Sequence, residues 1–159
     1  ALYLTIIKKQ LMKELHFDTI ENNVGESLGV STWQTITQDM INQFANLTGD
    51  DQWIHVDVEK AKLSPFGSTI AHGFMILSFA PKLVTELIEL KGIRLGLNYG
   101  FEKVRFISPV PVNSEVRMSA TLAKVERDET KVKATMTITF ELKGSEKPAI
   151  VAEWLNVFM

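Results

Sequence analysis

The sequence predicts an α+β domain in which a long helix is wrapped by a curved antiparallel sheet. Three observations carry that expectation. Helical periodicity dominates the first half of the chain, period-two alternation dominates the second, and polar connections of hairpin length separate the alternating runs. A length of 159 residues is that of one domain. With 45% hydrophobic and 23% charged residues, a chain of this size buries a real core, which argues against intrinsic disorder.

The elements follow in order. Residues 1–15, ALYLTIIKKQLMKEL, carry their apolar patch ahead of the lysines, the reverse of a secretory signal. We expect residues 1–16 to be an extension before a domain at 17–159, with Met12 marking a shorter reading frame and residues 1–11 a start-site extension. Thr37 offers an N-cap, and Met40, Ile41, Phe44, Ala45 and Leu47 fall on one side at helical spacing until Gly49, which predicts a helix over 37–48. Asp57 caps a short helix to about Leu63, and Pro65 and Gly67 make 64–68 a loop. From His72 to Leu90 apolar residues cover more than half a helical circumference, predicting a long buried helix that Pro81 kinks or breaks. Strands are predicted over 97–107, 114–126, 131–143 and 149–158. The last three are joined by Arg127-Asp128-Glu129-Thr130 and by the segment 143–147, and should form a meander.

Composition then bounds the function. Seventeen Lys plus Arg against nineteen Asp plus Glu leave a net charge of -2, so no global positive field holds a nucleic-acid backbone. The absence of cysteine excludes disulfides, thiolate nucleophiles and Cys-ligated metals, and fits a reducing compartment, so a cytoplasmic protein is expected. No run approaches the roughly 18 apolar residues of a membrane span. With three histidines in all, and with no third ligand type clustered near His55 and Asp57 in the sequence, no metal and no cofactor are expected.

The stretch FANLTGDDQWIHVDVEKA, from Phe44 to Ala61, brings a carboxylate at Asp50 and an imidazole at His55 close behind a helix end. Side by side, the two can accept hydrogen bonds from one water, orient it and take its proton, which is worth about 10²- to 10⁴-fold in rate. The plainer reading stays open: Asp50 or Asp51 caps a turn and His55 is a packed, satisfied histidine. Gly73, in Ile70-Ala71-His72-Gly73, stands at a helix start where backbone N–H groups are unpaired and a carbonyl can come close. One well-placed donor to an enolate-like oxygen is worth about 3 kcal/mol. The alternative is that Gly73 simply permits tight helix–sheet packing. Trp33 and Trp154 read as core, His16 has no assigned role, and Lys103 and Arg105 read as a solvated strand face or as contacts for coenzyme A phosphates.

Together Phe44, Leu47, Thr48, Gly49, Asp50, Ile54, His55 and Ala61, followed by Ile70 to Phe74, Lys103 to Phe106 and Pro109 to Val112, resemble the MaoC-like (R)-specific enoyl-CoA hydratases over residues 17–158. Gln52-Trp53 between the aspartate and the histidine resembles the nodulation-protein-N-like branch. The resemblance implies a hot-dog fold, a homodimer or dimer-based oligomer, and syn hydration of a trans-2-enoyl thioester to an (R)-3-hydroxyacyl thioester, or the reverse. Asp50 and His55 would hold the water and Gly73 N–H would polarise the carbonyl. Gln52, Trp53, His72, Ser78 and Arg105 would meet a coenzyme A or acyl-carrier substrate. Where such hydratases have a serine further along the long helix, this chain has Pro81, so Ser78 would supply that contact. Two other readings remain: a hot-dog thioesterase, and a non-catalytic module that binds acyl ligands.

Overall fold

The computed structural model describes residues 12–159, so the start-site extension expected over 1–11 lies outside the described residues. The α+β, hot-dog architecture is as expected: an antiparallel sheet that does not close curves over a helical layer. Its centre is the predicted meander of β6 (Glu115–Arg127), β7 (Val132–Leu142) and β8 (Ile150–Phe158). Alternation explains it, because Val116, Met118, Ala120 and Leu122 of β6 are all buried while the residues between them are not. Strand β5 (Gly96–Phe106) pairs with the far side of β8 and forms one edge of the sheet. Short strands β2 (Ser27–Val30) and β3 (Gln34–Thr35) pair with β6.

Helix α1 (Gln38–Thr48) matches its prediction closely. Thr37 Oγ1 accepts from Met40 N at 3.3 Å, and Gly49 ends it with a φ of +77°, its N–H bonded to Ala45 O at 2.8 Å. A one-turn helix α2 (Trp53–Val56) precedes α3 (Val58–Lys62), which Asp57 caps through Lys60 N at 2.9 Å.

The single long helix expected over 72–90 is corrected. It is two short pieces, α4 (Gly73–Leu77) and α5 (Ala80–Val84), joined through Ser78 and Phe79, whose ψ values of -14° and -12° are those of a tighter turn. Pro81 falls in the first turn of α5, where its missing N–H costs nothing and where it cannot continue the ladder of α4. After α5 the apolar pattern runs on into a strand, β4 (Ile88–Lys91). Met75, Ile76, Ala80 and Leu83 still bury against the sheet, so the helical pieces keep the inward face that periodicity assigned to one helix.

The expected boundary at residue 16 also moves. Lys13–His16 form β1, parallel to β4 with Leu15 opposite Leu90, and Leu15 has no exposed surface. Four residues of the supposed extension therefore form a strand of the fold, and one of them, Leu15, belongs to the core. Trp154 is buried as expected and donates Nε1–H to Asn98 at 2.8 Å, whereas Trp33 lies half-buried under the Arg117 guanidinium, 4.5 Å from its ring centre. No helix among the described residues is long and apolar enough to cross a membrane.

Leu15→Ala should cost about 2–5 kcal/mol in urea unfolding, as for any fully buried leucine; a loss under about 0.5 kcal/mol would mean that β1 adds nothing to the folded core.

Candidate active site

Two turns bring the predicted pair together. Left-handed Gly49 swings the chain back over the end of α1, and the main-chain carbonyl of Asp50 then accepts a hydrogen bond from His72 Nε2 at 2.8 Å. His55 lies in α2, 8% exposed, with Nδ1 2.7 Å from the carbonyl of Ile70. A carbonyl only accepts, so both contacts fix tautomers. His55 carries its proton on Nδ1 and keeps a lone pair at Nε2; His72 carries its proton on Nε2 and keeps a lone pair at Nδ1. The two rings stack with centroids 3.8 Å apart and planes 25° apart, and Phe44 packs against His72 at 4.9 Å.

One side-chain ligand atom from each of Asp50, His55 and His72 lies within 4.8 Å of the others. The sequence reading found no third metal-ligating side chain near His55, and this is corrected: the fold delivers His72 from a distant loop. The stack itself suits a metal poorly. Imidazole lone pairs lie in the ring plane, and planes only 25° apart direct them side by side instead of at a common centre.

Beside the pair is a cavity of about 350 Å³, lined by His55, Gly73, Phe74, Phe106, Ser108, Val110 and other mainly apolar residues. Gly73 is the first residue of α4, with no side-chain cap from His72, so its N–H has no acceptor within the helix. Because α4 has five residues, the dipole expected from a long helix shrinks to that of a single turn, and any polarising effect rests on this one donor. The glycine also has a packing cause: a Cβ there would come 2.6 Å from Phe106 Cδ1. A larger hollow of about 650 Å³ borders β5 and the β6–β7 turn, but its charges are used in the pairs Lys133–Glu126, Lys131–Asp128 and Arg127–Glu21.

Burial holds the His55 pKa below the ordinary imidazole value. The adjacent His72 adds to the depression, while the bond to Ile70 and the charge of Asp50 oppose it. His55 is thus kept neutral, with a free acceptor next to an apolar cavity.

Residues 19–142 match the MaoC-like domain family model, which spans well over half of the chain. The chain belongs to the MaoC-like family. It is 53% identical over 130 residues to 3-hydroxyacyl-thioester dehydratase Z of Mycobacterium tuberculosis, covering 81% of this chain and 86% of that one. It is 38% identical to nodulation protein N of Rhizobium leguminosarum bv. viciae, covering 92% of each, in line with the branch suggested by Gln52-Trp53. Among solved structures, the monoamine oxidase regulatory protein of Archaeoglobus superposes with a TM-score of 0.76 at 25% identity, covering 93% of this chain and 96% of that one. The (R)-hydratase of A. caviae superposes with 0.67 at 22%, covering 84% and 94%, a likeness of fold.

In this MaoC-like domain the residues expected to meet substrate lie elsewhere than the cavity wall. Gln52 is exposed, and its carbonyl accepts from His55 N at 2.9 Å. Trp53 is 37% exposed under Lys60, neither in the core nor narrowing the cavity. His72 is buried against His55. Ser78 does not replace the missing serine: its Oγ bonds Phe74 O at 2.6 Å, and it borders a separate groove with Met40, Phe44 and Phe79. The hydroxyl that does line the cavity is Ser108. Pro81 is exposed and absent from the cavity wall, which removes the motive for a catalytically idle module. Arg105 follows strand alternation: Phe106 turns inward onto Gly73, so its neighbour turns outward, exposed and bonded to Val104 O.

One residue of the site gave no sequence signal. Gln38, just after the N-cap of α1, donates Nε2–H to the His55 carbonyl at 2.8 Å and accepts from Thr69 Oγ1 at 2.5 Å, clamping α1, α2 and the segment before Gly73. Gln38→Leu should cost about 1–3 kcal/mol by leaving these half-buried groups unpaired, and hydrogen exchange should quicken at residues 54–56; unchanged exchange there would show that the clamp does not hold His55.

Proposed function

We propose that this protein is a hydro-lyase for acyl thioesters, adding water to a trans-2-enoyl thioester to give an (R)-3-hydroxyacyl thioester or removing it in reverse. The observation that carries the reading is an Asp50 carboxylate oxygen within 4.8 Å of a His55 ring nitrogen, with His55 and Gly73 both lining one apolar cavity. Two acceptors that far apart suit the two hydrogens of a single water at ordinary distances of about 2.8 Å. Support also comes from the 53% identity to a protein named as a 3-hydroxyacyl-thioester dehydratase.

In the hydration direction, the water oxygen bonds C3 while its proton passes to the dyad, and the C2=C3 electron pair moves toward the thioester oxygen. Gly73 N–H meets the charge that develops there. The dyad returns a proton to C2 on the face from which the oxygen arrived, so the addition is syn and water is the only co-reactant. Because a thioester α-carbon is acidic, a fixed donor suffices and the proposal calls for no metal or organic cofactor. The apolar walls strengthen these interactions by excluding bulk water.

Asp50→Asn should lower hydration of crotonyl-CoA by about 10²- to 10⁴-fold with melting little changed, and His55→Ala should lower it as far while also losing about 1–3 kcal/mol of stability with its buried bond to Ile70. Free thiol appearing in place of hydroxyacyl product would instead indicate hydrolysis, and wild-type rates in both variants would end the reading. The neutral His55 ring is the active form and its pKa is lowered, so the acid limb of kcat/KM should lie below the ordinary histidine value of 6.5. The same sign governs stability: protonation disfavours the folded state, so the contribution is lost as pH falls from about 6.5 toward the lowered value.

The reading includes a homodimer. Edge strand β5 leaves an open row of backbone groups with Leu97 and Tyr99 exposed, and at its end Phe106 and Ile107 are both half-exposed cavity-lining residues that a second copy would cover. Light scattering should report twice the 17.9 kDa chain mass, and Leu97→Lys/Tyr99→Lys should shift it toward one chain; a monomeric wild type at micromolar concentration would remove the dimer.

A further inference from the structure

His72 is 3% exposed, lies behind His55 without itself lining the cavity, and has a buried Nδ1 that finds no hydrogen-bond partner. A phenylalanine would stack on His55 and Phe44 without that orphaned acceptor. What only the imidazole provides is the donor at Nε2, 2.8 Å from the carbonyl of Asp50. That bond holds the main chain of the residue whose carboxylate faces His55, while the same ring lies flat against His55. One side chain thus touches both members of the dyad and neither the cavity nor, by inference, the substrate.

We propose that His72 is a positioning residue that sets the distance between the Asp50 carboxylate and the His55 ring, through its Nε2–H bond to the Asp50 main chain and its stack on the His55 face. The proposal rests on the hydro-lyase reading for its kinetic tests and on the geometry alone for its spectroscopic one. Asp50 lies in an exposed turn just past a helix end, with its own N–H held only by a long 3.4 Å contact to Thr48. The backbone bond from His72 is therefore its firm tether. The titratable groups facing His55 are His72 and Asp50, so a change at His72 also reaches the protonation of the base.

Two substitutions separate the functions of the ring. His72→Phe keeps a stacking partner and loses the donor; His72→Gln extends an amide N–H to about the reach of Nε2 and loses the stack. His72→Phe should lower kcat by about 10²-fold with KM changed less than threefold, because the nucleophilic water is misplaced while the cavity stays intact. His72→Gln should recover at least tenfold of that loss, and the acid limb of its pH profile should move up as His55 becomes more accessible to water. Wild-type kcat in His72→Phe, or a glutamine variant no better than phenylalanine, would overturn the proposal. In the unaltered protein, ¹⁵N-resolved NMR should find the His72 Nε2 proton slow to exchange and His55 as the Nδ1–H tautomer. A rapidly exchanging His72 proton would overturn it whether or not either variant folds. Absence of hydration and dehydration in the wild type, with both NMR signatures present, would fault the functional reading and leave the positioning intact.

Discussion

The hydrogen bond from His55 Nδ1 to the carbonyl of Ile70 is the constraint on which the site depends. It is buried, so breaking it would strand a polar pair away from water at a cost of about 1–3 kcal/mol. It selects the tautomer that leaves Nε2 as an acceptor. The segment carrying Ile70 is itself tied on every side: Ile70 N to Ile54 O, Ala71 N to Val110 O, Val112 N to Thr69 O, and Thr69 Oγ1 to Gln38. These bonds join α1, α2 and the loop before β6 into one frame. Short helices and irregular backbone thereby hold the His55 ring in a fixed orientation.

The broken helix follows from the same economy of space. A continuous helix through 72–90 would present Gly73 and Leu87 along one rod, whereas the turn at Ser78-Phe79 lets α4 and α5 bury their apolar residues on separate parts of the sheet. Release of the chain after Val84 then allows Ile88–Lys91 to pair with Lys13–His16. Close approach of Phe106 to Gly73 completes the cavity on its sheet side, and a side chain at that position would push the ring outward. Packing and the proposed carbonyl recognition are thus compatible demands on one glycine. The absent Cβ admits Phe106, and the N–H at the helix start has no acceptor within the helix.

What was legible in the sequence was what local physics determines. The Thr37 cap and Gly49 stop bound α1 almost to the residue, and the alternation in 116–122 and 132–140 fixed both the strands and their buried faces. Asp50 and His55 were legible because a short spacing across one turn keeps them near each other. Strands β1 and β4 were not, since four residues carry too little periodicity and their pairing joins segments more than seventy positions apart; Ile88 simply continued a helical pattern. Ser78 was assigned to substrate by its nearness to Pro81 in sequence and Arg105 by the fit of a guanidinium to phosphate, but which way a side chain points depends on turns and register that only the folded chain sets. The second imidazole at the dyad was hidden for the same reason, since nothing near His72 in sequence announces His55.

The stacked imidazoles also restrict how the site can take up charge. A proton on His55 would face a ring 3.8 Å away and an environment with little water to screen it. Two unit charges at that spacing repel by about 4 kcal/mol at an effective dielectric of 20, several times the ordinary cost of moving a proton across one pH unit. Asp50 is the only carboxylate in this cluster of described residues, and its charge favours a proton on His55. In the proposed hydration, a base that must shed its proton again within each turnover would benefit from that arrangement, because the proton taken from water would be returned to carbon instead of being stored. Burial makes His55 a weaker base than a free histidine, the neighbouring ring adds to that, and the bond to Ile70 and the Asp50 carboxylate oppose it. The hydrogen bonds that fix the geometry of the dyad thus also determine its chemistry.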